Sequence, residues 1–339
     1  MTVLIVRHGP GRGRLPGYVD PVLARLAELE PELYRALRLH GTGSPPPDLS
    51  NARAVVFWLG DPLRELYPEC FAEASAIEAE ARKRGLRLVN PPSALSNSIK
   101  SAQARLWLDA GVPASPCLPF TSRGELERAL EGLAFPVLLK GDRMHSQDHM
   151  HFCRSPEAVH GLPDAALPLP GIVTPFVDTR AGYAATRPGT IWARLYHKKR
   201  VMIFGDAIQA RHVFFSENPI VGLTSSIGSH GRKSRRRYLV RVFGVWGDRR
   251  AMLEEDYAFF RSEGETAEVM LGAARALGFG YAAIDYSTFA DGRVVLWEAN
   301  PYPAIPGPSH YVLPRERRFE ERFDALCRGY AGFFARLLA

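Results

Sequence analysis

The chain has 339 residues, 46% of them hydrophobic and 23% charged, with a formal net charge of +7. That is chain enough for two or three subdomains around a sizeable core, at the composition of an ordinary soluble protein. No apolar run approaches the ~18 residues of a membrane-spanning helix. The apolar run at residues 2–6 is too short for a secretory-signal core and has no cleavage site behind it, so it reads as a buried strand. The four cysteines, Cys70, Cys117, Cys153 and Cys327, are far apart and form no Cys-x-x-Cys pair, which reads as reduced thiols in a cytoplasmic protein. No internal repeat is visible.

Residues 1–94 read as a small α/β domain: a strand at 3–6, a helix over 21–39 with Val22, Leu26, Leu29 and Leu33 on one face, buried strands at 52–59 and 86–89, and a helix over 69–84 stopped by Gly85. Strands alternating with helices imply a parallel sheet. Residues 95–173 read as a smaller α+β lid. There Ser98 is the expected cap of a helix over 99–110, Thr121 or Ser122 caps a second helix ending near 133, and strands at 138–140 and 151–153 pair antiparallel. Residues 174–339 read as a larger domain with strands at 191–195, 200–204 and 207–213, a helix over 265–277 stopped by Gly278, a hairpin over 281–297, and a closing helix over 317–338.

The hairpin carries the strongest chemistry. Asp291-Gly292 is a strong hairpin-turn signal. Glu298 and Asn300 are two apart on the return strand, so they point to one face. Asp285 precedes Glu298 by thirteen residues, and folding back at the turn brings it to the same end of the ribbon. Two carboxylates and an amide oxygen on one wall suit a hard cation such as Mg²⁺. Each acid alone would read as a solvated surface group; the set, followed by Pro301-x-Pro303, does not.

This pattern resembles the metal end of the ATP-grasp superfamily, as in D-alanine–D-alanine ligases and other carboxylate–amine ligases. The resemblance extends upstream in the family's order over residues 90–339. Lys100 before its helix resembles the family's first lysine. Lys140, ending the apolar run from Pro136 to Leu139, resembles the second. The segment from Ile172 to Val177 resembles the adenine-contacting hinge, and Arg194 and Arg211 flank a hairpin where the family places arginines. The resemblance implies a mixed α/β and α+β ATP-grasp fold with a small N-terminal parallel α/β domain. It implies ATP and Mg²⁺ as cofactors, with phosphate contacts from Lys100 and Lys140 and nucleotide contacts from Thr174, Phe176 and Asp178. Arg211, Lys140 and Arg194 are the implied catalytic residues, with Asn218 beside them, and Asp285, Glu298 and Asn300 hold the metal. The implied reaction joins a carboxylate, activated as an acyl-phosphate, to an amine of amino-acid or peptide type. A kinase using the same ATP site and a non-catalytic nucleic-acid-binding protein are the alternatives.

The chain departs from the family in two places. The loop after Lys140 has one glycine where the family's is glycine-rich, so Arg143, His145 and Ser146 are the expected replacements for backbone phosphate donors. Thr174 stands where the family has an acid or glutamine. The three histidines His145, His149 and His151 raise a second metal site, because His149 and His151 share a strand face, but zinc needs convergent ligands with a satisfied second shell, so phosphate or substrate contact, or exposure, is favoured. Much of the positive charge lies at Arg232, Lys233, Arg235, Arg236, Arg237 and Arg241, a solvated loop or a clamp for an acidic substrate. The absence of interleaved aromatics disfavours nucleic acid as its partner. A homodimer is left open. The stretch Val6-Arg7-His8-Gly9 is similar to a histidine-phosphatase signature but leaves the rest of the chain unexplained, and reads as a flexible loop after the first strand.

Overall fold

Sheets of four strands form each of three layers in this computed structural model, which describes residues 1–10, 19–60, 62–143, 150–222, 246–262, 266–303 and 317–339. The first layer is built from β1 (Thr2–Arg7), α1 (Val19–Leu29), α2 (Pro31–Arg35), β2 (Leu37–Gly41), β3 (Ala52–Trp58), α3 (Leu63–Leu66), α4 (Pro68–Lys83), β4 (Arg87–Val89) and α5 (Pro92–Leu95). Its strands are all parallel in the order β2-β1-β3-β4. Both faces are covered, so β1 and β3 are continuously apolar. Val3 and Ile5 pack with Val22, Leu26 and Tyr330, while Leu4 and Val6 pack with Cys70, Ala74 and Ile77.

The single helix expected over 21–39 is two helices and an edge strand. Proline restricts the residue before it. Glu30, ahead of Pro31, leaves the helical region at φ −138°. The apolar spacing then continues by coincidence into β2, where Leu37 pairs beside Val3.

The second layer follows as α6 (Lys100–Asp109), β5 (Leu118–Phe120), α7 (Arg123–Leu130), β6 (Val137–Gly141), β7 (His151–Cys153), α8 (Pro156–His160) and β8 (Gly171–Pro175). The strand order is β5-β8-β6-β7, all antiparallel. Thr174 and Pro175 therefore belong to the lid sheet. Ser122 caps α7 as expected, accepting from Glu125 N, and the Glu125 carboxylate reaches back to Thr121 N at 2.7 Å. Ser98 does not cap α6. It ends a short 3₁₀ turn, and the helix opens at Lys100 after Ile99. The cap comes from the lid instead: the Asp142 carboxylate accepts Ser101 N at 2.8 Å and Ser101 Oγ at 2.7 Å.

The third layer comprises α9 (Arg180–Thr186), α10 (Ile191–Arg194), β9 (Tyr196–Phe204), β10 (Ala207–Ser216), α11 (Trp246–Phe260), α12 (Ala267–Leu277), β11 (Tyr281–Thr288), β12 (Val294–Asn300) and α13 (Arg317–Leu338). Its antiparallel order is β10-β9-β11-β12. Residues 191–195, expected as a strand, contain the helical turn α10. Its side chains fill an aromatic cluster, with Trp192 stacked 5.6 Å from Tyr183 and edge-on to His197 at 4.8 Å, and that packing overrides the local pattern. On one face of the sheet, Val201, Ile203, Ala282 and Ile284 cover Met270, Ala273 and Leu277 of α12. Asn90 joins the first layer to the third: its amide accepts Gly280 N at 2.9 Å and donates to Tyr281 O at 2.8 Å. Among the described residues no helix is long and apolar enough to cross a membrane, and the four cysteines are free thiols.

Two buried histidines tie stability to pH. Burial pushes His197 down to about 3 and His212 to about 4, from an ordinary 6.5. At His212, Nδ1 lies 2.7 Å from Arg322 Nη1. A guanidinium only donates, so Nδ1 is the acceptor and the native imidazole is neutral. Both rings are neutral in the native state, whereas the unfolded chain takes up protons as pH falls through 6.5. Their stabilisation is complete above that pH and is lost as pH falls toward about 4 and about 3. Melting temperature should decline across this window, and the decline should be shallower in His212→Gln. A flat profile, or equal slopes in parent and variant, contradicts this.

Candidate functional site

Alternation along β9 separates charge from core. Tyr196, Lys198 and Arg200 lie on one face, while His197 and Lys199 turn toward the Trp192 cluster. Arg200 sits opposite Asp285 in the β9–β11 ladder, and Asp285 sits opposite Glu298 in the β11–β12 ladder. The three strands thus deliver a row of charge across the sheet. A bulge follows Asp285, between it and Tyr286.

Asp285 is 3% exposed. Lys198 Nζ is 2.7 Å from its Oδ2, and Arg200 grips both oxygens, at 2.7 Å from Nε and 3.0 Å from Nη2. Burial pushes the Asp285 carboxyl up, but the charges of Arg200 and Lys198 outweigh it and hold the group below the usual carboxylate range. Lys100, at the start of α6, reaches Glu298 at 3.4 Å. Lys140, on β6, is half-buried among the same groups. Burial drives its ammonium below the ordinary lysine range, Cys117 and Glu298 oppose that shift, and Lys100 and Lys198 add to it.

Among the described residues, four cations, Lys100, Lys140, Lys198 and Arg200, therefore gather around Asp285 and Glu298 in one cleft between the lid and the third layer. Such a surplus is costly unless an anion offsets it. The donor set fits a polyanion together with a hard cation: ammonium and guanidinium groups for phosphate oxygens, and Asp285, Glu298 and Asn300 for the metal. Asn300 Oδ1 already accepts Tyr302 N at 2.8 Å, which fixes its rotamer. Among the described residues no group of three His, Cys, Asp or Glu forms a metal cluster. His151 instead contacts Ala166 O at 2.8 Å, and His149 lies outside the described residues.

A cavity of about 430 Å³ opens at the outer end of this cleft, lined by Pro136, Phe152, Arg154, Phe176, Asp178 and Tyr196. Its aromatic rings interlock edge-on, Phe176 lying 4.9 Å from Phe152 and 5.8 Å from Tyr196. Arg180 stacks over Tyr196 at 3.5 Å and holds both oxygens of Asp178, at 2.9 Å and 2.7 Å. Burial pushes Asp178 up, yet the Arg180 bonds keep it below the ordinary range. From Tyr196 to Arg200 is about 13 Å at ~3.3 Å per strand residue. An aromatic pocket and a cation cluster thus stand along one strand, at a separation an extended nucleoside triphosphate spans.

The remaining expected residues divide. Thr174 is buried with its hydroxyl 3.0 Å from Ser115 Oγ, and Phe176 N donates to Pro136 O at 2.9 Å, so that amide is already engaged. Arg143 pairs with Glu65 of α3 at 3.0 Å. Arg194 ends α10, not a strand, and its carbonyl accepts Arg180 Nη1 at 3.4 Å. Arg211 is 3% exposed and turned onto α13, donating to Arg322 O at 2.7 Å. Asn218 N donates to Ser216 Oγ at 3.0 Å. His145, Ser146 and the basic segment 232–241 lie outside the described residues. Lys198 and Arg200 were not expected here, because Lys198-Lys199-Arg200 reads as a solvated charge run and only the strand's alternation and partner reveal its inward face.

No family model and no curated protein matches the chain by sequence. Solved structures match its fold. One is the ATP-grasp ligase PsnB complexed with a phosphomimetic variant of its minimal precursor, Mg and ADP, at 14% identity and TM-score 0.57, covering 100% of this chain and 99% of that one. Another is the VanG D-Ala:D-Ser ligase from Enterococcus faecalis, at 13% identity and TM-score 0.53, covering 98% and 99%. A third is the D-cycloserine synthetase DcsG, at 14% identity and TM-score 0.52, covering 98% and 99%.

Lys140 and Arg211 should respond differently to substitution. Removing a desolvated ammonium relieves a burial cost, so Lys140→Met should not lower stability. Arg211→Met removes a buried charge-assisted hydrogen bond to the Arg322 carbonyl and should cost about 1.5–3 kcal/mol. Denaturant titration of both variants checks the contrast.

Proposed function

We propose that this chain, which has the ATP-grasp fold, is a Mg²⁺-dependent ligase that uses ATP to join a carboxylate to an amine. The observation that carries the reading is the surplus of cations around Asp285 and Glu298, in line with the aromatic cavity. Lys100, Lys140, Lys198 and Arg200 would hold the phosphates, Asp285, Glu298 and Asn300 the metal, and Phe152, Phe176 and Tyr196 the adenine. When bound, ATP and Mg²⁺ supply the phosphoryl group that activates the carboxylate as an acyl-phosphate and the charge that offsets its transfer. The protein's own work is positioning and charge neutralisation, as in other phosphoryl transfers. No side chain needs to act as a covalent nucleophile. Arg180, stacked on Tyr196, holds the aromatic wall upright, and Asp178 is engaged in holding Arg180. An amino-acid or peptide carboxylate is the favoured substrate class, supported by likeness to ligases whose names specify a peptide precursor or D-Ala and D-Ser.

The test is an ADP-release screen of amino acids and small peptides, singly and in pairs, with mass spectrometry of products. A condensed amide supports the ligase; a phosphate ester formed from a single acceptor would move the assignment to a kinase. Glu298→Gln should lower turnover on the order of 10²-fold or more, since it removes a charge from the metal wall. Near-parental turnover in that folded variant would remove the site assignment. Tyr196→Ala should raise KM for ATP with kcat little changed, the pattern of lost uniform binding.

A further inference from the structure

We propose that Gln103 is a positioning residue that sets the metal wall, by completing the open edge of the strand that carries Glu298 and Asn300. The inference rests on the nucleotide reading of the cleft and assigns a role to a residue that touches neither nucleotide nor metal.

β12 is the last strand of its sheet, and β11 covers only one of its edges. A strand at a sheet edge has unpaired backbone groups. At Ala299 both groups point away from β11 and meet one side chain. Gln103 Oε1 accepts Ala299 N at 2.9 Å, and Gln103 Nε2 donates to Ala299 O. The amide thus imitates the missing neighbour strand, one acceptor and one donor in register. The second Nε2 hydrogen goes to Ser98 O at 3.0 Å, so both donors are used and the amide cannot turn over without losing all three bonds. Gln103 is 1% exposed, which excludes water as a replacement partner.

The gripped residue lies between the two metal-wall residues. Ala299 is wholly buried and points into the α12 core, and alternation sends Glu298 and Asn300 to the cleft face. Gln103 stands one helical turn beyond Lys100 on α6, and Lys100 reaches Glu298 at 3.4 Å. One helix therefore delivers a phosphate-type cation to the cleft and fixes the strand opposite it. The same strand is held further out by Leu296 N donating to Pro113 O at 2.9 Å, which anchors its middle but not its metal end. A purely structural role would reduce to helix docking, and that work is done separately by Trp107, whose Nε1 donates to Ala273 O at 3.0 Å.

The experiment measures Mn²⁺ binding by electron paramagnetic resonance, with a non-hydrolysable ATP analogue present, in the parent, Gln103→Met and Trp107→Phe. Binding of the analogue without divalent cation is measured alongside by calorimetry. Gln103→Met should weaken Mn²⁺ binding roughly tenfold, because the edge strand loses its register at the ligands. Metal-free analogue affinity should stay within about twofold, since that binding rests on the lysines, Arg200 and the aromatic cavity. Trp107→Phe should lower the melting temperature and leave Mn²⁺ affinity unchanged. If Gln103→Met does not fold, Gln103→Glu, which burial keeps protonated, retains the acceptor for Ala299 N and one donor, and should weaken Mn²⁺ binding to a smaller degree. Unchanged Mn²⁺ affinity in the folded variant, or an equal loss in Trp107→Phe, overturns the positioning role while leaving the nucleotide site in place. Failure of the parent protein to bind the analogue at all would instead remove the nucleotide reading, and this role with it.

Discussion

A carboxylate buried to 3% exposure, Asp285, is the constraint around which the third layer is organised. Burying such a charge without partners costs several kcal/mol, and removing one partner of a buried pair is comparably destabilising. Lys198 and Arg200 offset that cost from the neighbouring strand, at 2.7 Å each. The pairing fixes which way β9 faces. Had its register slipped by one residue, the charges would enter the α12 core and Val201 and Ile203 would enter the cleft. The hydrophobic and ionic requirements of β9 therefore agree on one register, and the cleft inherits its cations from that agreement.

The lid is coupled to this arrangement through backbone and side-chain contacts near the start of α6. Asp142, two residues after Lys140, caps α6 through Ser101 and also accepts Lys100 N through its carbonyl at 3.2 Å. Arg143, the next residue, pairs with Glu65 of the first layer. Lys100 and Lys140 are thus placed by one connected set of bonds, and both lean on Glu298. A glycine-poor loop is consistent with this arrangement, since its first residues use side chains to fasten the lid.

Several elements were legible in sequence because their signals are local. Asp291-Gly292 announces the hairpin, and Gly292 adopts φ +87° there, as such a turn requires. The two-residue spacing of Glu298 and Asn300 needs only strand alternation. Lys140 ends an apolar strand, where a lysine has little structural reason to sit. Other elements were not legible. Arg194 was expected on a strand because Ile191-Trp192-Ala193 is apolar and short, and a run of that length does not distinguish a strand from one helical turn. Arg211 was expected in the cleft from its place after a hairpin. A bulge between Ala210 and His212 disrupts the ladder there, and its guanidinium is engaged by the Arg322 carbonyl.

The amino-acid sequence by itself determined the alternation of strands and helices, the hairpin with its acidic wall, and the two lysines that precede it. The first two follow from periodicity, turn chemistry and spacing, all carried by neighbours along the chain, and the lysines from their place in an order that resembles the ATP-grasp family. Only the tertiary structure decided that Lys198 and Arg200 neutralise Asp285, that Asp142 rather than Ser98 caps α6, and that Gln103 closes the edge of β12. Each of these joins residues 41 to 196 positions apart. Their side chains are ordinary where they stand in the chain. What selects them is the requirement that every buried charge, helix end and strand edge find a partner, and that requirement is set only when the layers pack.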